Sequence, residues 1–180
     1  LGQSGYPTDI GGDPGKWSSD ATFAYLGGSP LPFIIKFPGL IQNVPELEDL
    51  AAGRGTVTIL PEQDGIVRRV PAILTAKGKM MPTLSIEMLR VLTGQKTVLV
   101  KRDEGGLTRI ALAGLDIPTD ERGRFWIYFS KHDPQGFISV KAVLEDELPA
   151  GSIMGRLAIV GTSAVGLYDL KATPVDGAVP

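Results

Sequence analysis

Residues 81–113, MPTLSIEMLRVLTGQKTVLVKRDEGGLTRIALA, change period partway along. In the first part Leu84, Met88, Val91 and Leu92 recur at helical spacing and share one apolar face. Pro82 or Thr83 opens that segment and Gly94 closes it. In the second part the aliphatic runs TVLV (97–100) and LTRIALA (107–113) lie on either side of DEGG, the pattern of a β-hairpin. A helix followed directly by a hairpin makes the chain mixed α/β, and the flanking segments extend that reading.

Upstream, NVPELEDLAAGRG from Asn43 places Asn43 and a glutamate at capping-box spacing, a proline in the first turn and a closing glycine, which predicts a second helix. TVTIL (56–60) and IVRRVPAIL (66–74) flank PEQDG and are expected to pair as a hairpin, with Pro71 marking a bulge or an edge. PFIIKF (32–37) is a short strand candidate. Downstream, RFWIYF from Arg124 reads as a strand, and ISVKAVLEDELP as a helix capped by Ser139 with Val140, Val143 and Leu144 inward. LAIV (157–160) reads as an uninterrupted apolar strand, expected where both faces of a sheet are covered. The expected fold is α/β, a mixed sheet with hairpins and with helices packed on both faces, in a single domain. Residues 1–30 carry GG, DPG and GGSP with little periodicity and read as an irregular N-terminal remnant, leaving residues 31–180 as the domain proper.

Charge and composition exclude several functions. The formal net charge is -2, and lysines and arginines are scattered among acids, so no basic field exists to condense on phosphates and nucleic acid is not an expected partner. The chain has no cysteine, which removes a thiol nucleophile, a zinc-thiolate site and a disulfide framework together. It has no apolar run long enough for a membrane span and no basic-then-apolar leader. It begins with Leu1 and stops in VDGAVP, which reads as a domain excised from a longer protein.

The chemistry-bearing residues are thin. The sole histidine, His132, lies in the turn-rich segment SKHDPQG with no partner at motif spacing. In GTSAVG (161–166) the glycine spacing of a phosphate-binding loop is present, but Leu167 stands where the loop needs a lysine. Backbone N–H groups after a strand end can still bind a small anion, and the competing reading gives Gly161 and Gly166 a tight exit turn. Asp64, Asp116, Asp120 and Asp169 are separated carboxylates suited to turns and caps, so no metal site and no cofactor is expected. Arg68 and Arg69 on one strand point to opposite faces, and the inward one is expected to pair with an acid such as Glu87.

Taken in order, DGIVRRVP, MPTLSIEMLR, DIPTDERGRFWIYF and LAIVGTSAVGLYDLKATP resemble the CHASE sensory domain family of the second type. The matching positions include Asp64, Gly65, Arg68 and Arg69, then Pro82 and Glu87, then Pro118 and Asp120, then Gly161, Thr162, Gly166 and Asp169. The resemblance implies an extracytoplasmic, periplasmic-side input module in a parent chain anchored by flanking transmembrane helices. That parent would report to a cytoplasmic adenylate, guanylate or diguanylate cyclase or to a histidine kinase.

The functional expectation is a non-catalytic sensor that binds an unknown small-molecule ligand and acts as a homodimer. Its candidate ligand contacts are Arg68, Thr162, Ser163, Tyr168 and Asp169. Asp64, Gly65, Pro82, Glu87, Pro118, Asp120, Gly161 and Gly166 are read as structural. Two alternatives stand beside it: a small soluble hydrolase using Ser163 with Lys171 or Asp169, and a dimerisation module that binds no ligand.

Overall fold

In a computed structural model of the chain, residues 2–6 are described by their backbone, and residues 21–41, 43–131, 133–161 and 172–175 are described in full. The chain divides into two compact units, Leu1–Ile127 and Tyr128–Pro180. In the first unit the elements run β1 (Gly2–Tyr6), β2 (Thr22–Leu26), β3 (Lys36–Phe37), β4 (Gly39–Ile41), α1 (Pro45–Glu48), β5 (Gly55–Thr56), β6 (Arg69–Pro71) and β7 (Ile73–Ala76). They continue with β8 (Lys79–Pro82), α2 (Leu84–Leu92), β9 (Thr97–Asp103), β10 (Gly106–Leu112), β11 (Leu115–Pro118) and β12 (Arg124–Trp126). The fold is mixed α/β. Among the described residues its strands form four small sheets with the orders β4-β1-β5, β11-β10-β9-β2, β12-β6 and β3-β7-β8.

The helix and hairpin that opened the sequence reading are both present. Thr83 stands at the N-cap of α2, and Gly94, at φ +66°, lies beyond its C-terminal end. The buried face differs from the expected one. Ile86, Glu87 and Arg90 face inward, whereas Val91 and Leu92 are exposed. The aliphatic spacing alone could not register that a paired charge can occupy a buried stripe. β9 and β10 pair antiparallel as expected, with a register shift between Leu107 and Arg109.

Two further hairpins use tight turns that the sequence reading passed over. β7 and β8 join through Lys77 and Gly78, at φ +47° and +78°, and β10 and β11 through Ala113 and Gly114, at φ +52° and +79°. Two consecutive left-handed residues match the right-handed twist of paired strands. The strand buried on both faces is therefore β7, whose four residues are all buried. Alternation sends Ile73 into a cluster with Ile34, Ile86, Val98, Val100 and Ile110, and Leu74 into a second cluster with Leu40, Ala76 and Met81.

Several expectations are corrected. Segment 56–60 does not pair with 66–74: β5 pairs in parallel with β1, and β6 pairs antiparallel with β12. Pro71 ends β6 in that two-stranded sheet, an edge position as expected. The helix after Asn43 is only α1. Its N-cap is Val44, and Asn43 instead donates its backbone N–H and its side-chain amide to Glu48 Oε1 at 3.2 and 2.9 Å. Of PFIIKF only Lys36 and Phe37 are strand, and Leu31–Phe33 form a turn. The irregular reading of residues 1–30 does not hold for β1 and β2, because β2 pairs in parallel with β9 along its whole length.

In the second unit a 3-10 turn, Pro134–Gly136, is capped by the Asp133 carboxylate, which accepts the Gln135 N–H. α3 (Val140–Leu144) follows Ser139, whose side chain makes no capping bond. Val140, Val143 and Leu144 are exposed rather than inward. LAIV is not a strand, and Ile159 and Val160 are 75% and 87% exposed. Both LAIV and ILTA are short apolar runs without a distinguishing period, and ILTA is the one whose strand pairs with a neighbour, β8, among the described residues.

Candidate functional site

Arg68 and Arg69 do point to opposite sides, and each has its own acid. Arg68 forms a two-pronged pair with Asp64, at 3.0 and 2.7 Å, on the exposed side. Asp64 also accepts the Ile66 N–H at 3.0 Å, and Gly65 sits at φ +80°, so Asp64-Gly65 closes a local turn, not the expected hairpin. The Arg68 hydrogen bonds hold the Asp64 carboxyl below its ordinary range, and Asp64 in turn raises the Arg68 guanidinium.

On the other side Arg69 is clamped. Its Nε and one terminal nitrogen donate to the two oxygens of Glu62, each at 2.8 Å, and its other terminal nitrogen donates to Asp120 Oδ2 at 2.8 Å. The guanidinium lies 5.1 Å from the centroid of the Trp126 ring, its register partner across the β6–β12 ladder. The Arg69 bond lowers the Glu62 pKa, and Glu62 raises that of Arg69.

Asp120 organises the turn that leads into β12. Its Oδ1 accepts the N–H groups of Arg122 and Arg124 at 3.0 and 2.9 Å, and its Oδ2 accepts Arg124 Nε at 2.8 Å. Its backbone N–H donates to the Arg124 carbonyl and its carbonyl accepts the Gly123 N–H, with Gly123 at φ +77°. A carboxylate between two guanidiniums and two backbone donors leaves the pair of arginines fixed in direction. Sequence reasoning read Asp120 as a structural residue of a turn or cap.

The fixed turn borders a groove of about 540 Å³ between residues 32–36, Leu60–Pro61 and residues 122–124. Phe33 and Leu60 supply apolar wall, and Lys36, Arg122 and Arg124 supply three cations. Sequence reasoning missed these three: they come from two segments far apart in the chain, and only the spacing DERGR, acid-acid-base-x-base, hinted at a basic rim.

Other expected positions fall elsewhere. Glu87 pairs with Arg90, not with Arg68 or Arg69, and its Oε1 also accepts the Arg54 N–H at 3.2 Å. Pro82 is buried at the end of β8, Pro118 is exposed at the end of β11, and a side chain at Gly161 would meet open space. Thr162, Ser163, Gly166, Tyr168, Asp169, Lys171 and His132 lie outside the described residues, so Arg68 is the one candidate ligand contact that can be placed. Among the described residues no group of acids and histidines could hold a metal ion, and no helix is long and apolar enough to cross a membrane.

A family model described as the CHASE2 domain matches residues 18–180. Searches of curated proteins and of solved structures returned no match.

Proposed function

The chain belongs to the CHASE2 domain family, an extracellular sensory family found in signalling proteins, and on that premise we propose that it is the extracytoplasmic input of a membrane-anchored parent. The family match carries the proposal. A CHASE2 domain is sensory rather than catalytic, so the chemistry belongs to an output domain elsewhere in the parent, a nucleotide cyclase, diguanylate cyclase or histidine kinase.

Sensing across a membrane needs two arrangements whose balance a stimulus shifts, because a ligand acts only through its difference in affinity for them. A homodimer provides such a pair of arrangements. Large apolar side chains on the surface of the second unit, Met154 and Val160 among them, support self-association. The ligand contacts carried from sequence, Arg68, Thr162, Ser163, Tyr168 and Asp169, form one candidate set, to be tested by alanine at each position.

The deciding experiment measures cyclase or kinase turnover of the membrane-embedded parent while the external medium is varied, with residues 18–180 present or excised. Loss of the response on excision supports the input role. A response that survives excision unchanged overturns it.

A further inference from the structure

We infer that the groove between residues 32–36, Leu60–Pro61 and the Asp120 turn binds a small organic anion, an oxyanion head group on a compact apolar body. The inference deepens the sensory reading by naming a ligand class, and it places that ligand on residues outside the set proposed from sequence.

The charge distribution carries the argument. Within the Arg69 network two guanidiniums, Arg69 and Arg124, face two carboxylates, Glu62 and Asp120, and balance them. Arg122 and Lys36 then stand over: among the described residues neither has an ion-pair partner, and both line the groove. Glu121, next in chain to Arg122, does not line the groove. Arg124 commits Nε–H to Asp120, and its two terminal nitrogens take no partner among the described residues. A planar guanidinium fork with free nitrogens beside an ammonium matches the geometry of a carboxylate or a phosphate.

A further cation packs against the Phe33 ring. The Arg102 guanidinium sits 5.3 Å from the centroid of Phe33, and its Nε is buried with no hydrogen-bond partner among the described residues. Its Nη1 donates to the Asp103 carbonyl, a neutral acceptor, at 2.9 Å. A cation thus lies against the ring that would hold the apolar body, which favours an anion there and disfavours a cation.

The direction of the cations is set in advance. Asp120 holds the backbone of both Arg122 and Arg124, so the ligand need not order that turn on binding. Carboxylates and phosphates share this recognition chemistry, and the probes below separate them.

The test is titration of the isotope-labelled chain, followed by amide NMR, with benzoate, phenyl phosphate, inorganic phosphate and benzyl alcohol. Saturable shifts centred on residues 33–36 and 121–124 are expected with benzoate, phenyl phosphate or both. Whichever of the two binds more tightly identifies the head group. The Lys36→Ala/Arg122→Ala chain should bind at least tenfold more weakly, with amides away from the groove unmoved, since both side chains are exposed and hold no ion-pair partner among the described residues. Absence of saturable shifts with both aromatic anions overturns the inference. So does equal binding by benzyl alcohol, equal binding by inorganic phosphate, or unchanged affinity in the double variant. Because the readout is binding to this chain and not output of the parent, its failure leaves the sensory role standing, and failure of the excision experiment leaves the groove standing.

Discussion

Glu87 and Arg90 face each other one turn apart on the buried side of α2, with both Arg90 Nε and a terminal nitrogen 2.7 Å from the Glu87 oxygens and side chains only 2% and 7% exposed. Arg90 also donates to the Gln95 carbonyl at 2.9 Å, and Glu87 accepts the Arg54 N–H, so the pair ties both ends of the helix to its surroundings. Removing one partner leaves a charge stranded away from water. Arg90→Ala or Glu87→Ala should each cost about 3–5 kcal/mol in urea unfolding. The double change to alanine should cost less than the two single changes added together, and strict additivity would show that the two charges do not interact.

Gly55 is a contact residue as well as a strand residue. A Cβ placed there would lie 2.4 Å from Leu84 Cα and 2.7 Å from Leu84 N, backbone atoms at the first turn of α2 that cannot rotate aside. Gly55→Ala should therefore destabilise the fold by about 2 kcal/mol or more, in the range of overpacked cores. Gly136→Ala, where nothing lies within 4 Å, should stay within about 0.5 kcal/mol. Chemical denaturation of the two variants side by side is the check.

Ala113 occupies a left-handed position, φ +52°, in the exposed two-residue turn before β11. A residue with a Cβ and no local hydrogen-bonding side chain is held there at a cost of roughly 1–2 kcal/mol. Ala113→Asn makes the Asn-Gly pair that such turns favour and should raise the unfolding midpoint, by up to about 1 kcal/mol. A lower midpoint would mean that the turn relaxes differently from the one described.

Acid should loosen the surface ion pairs in a defined window. Glu62, Asp64 and Asp116 have pKa values held below the ordinary 4.5 and 3.8 by hydrogen bonds from Arg69, Arg68 and Arg109 respectively. A carboxyl whose folded pKa is depressed adds stability that is complete above its unfolded value and fades as pH falls through the folded one. The urea midpoint should thus be flat above pH 4.5 as far as these groups act and decline below it. Glu62→Gln with Asp116→Asn should make that decline shallower, and an unchanged slope would remove these pairs as its source.

What could be read from sequence was what is local. α2 showed in its aliphatic spacing and Gly94, and the β9–β10 hairpin in two β-rich runs around DEGG, because each closes within a few residues of itself. Pairings between distant segments left no trace: β2 lies beside β9 with Thr22 opposite Thr97, and Arg69 reaches Asp120 across 51 residues. The β7–β8 turn was missed because Lys77-Gly78 lacks the asparagine or aspartate that advertises such turns. For the site, Arg68 and Arg69 were correctly sent to opposite faces, but their acids, Asp64 and Glu62, could be named only once the turn between residues 62 and 66 was known. The groove needs Lys36 and Arg122 in register, and nothing in either segment alone refers to the other.

The parallel docking of β2 on β9 has a practical side for anyone trimming the chain. β2 is the outermost strand of its sheet, so a chain that starts after Leu26 presents the ladder groups of β9, a seven-residue strand with Val98, Leu99 and Val100 in a row, to whatever strand comes next. Bare strand edges of that kind recruit one another. β2, inside a segment whose composition reads as an irregular remnant, acts as a guard rail: shortened chains should grow into larger particles by light scattering at concentrations where the whole chain does not.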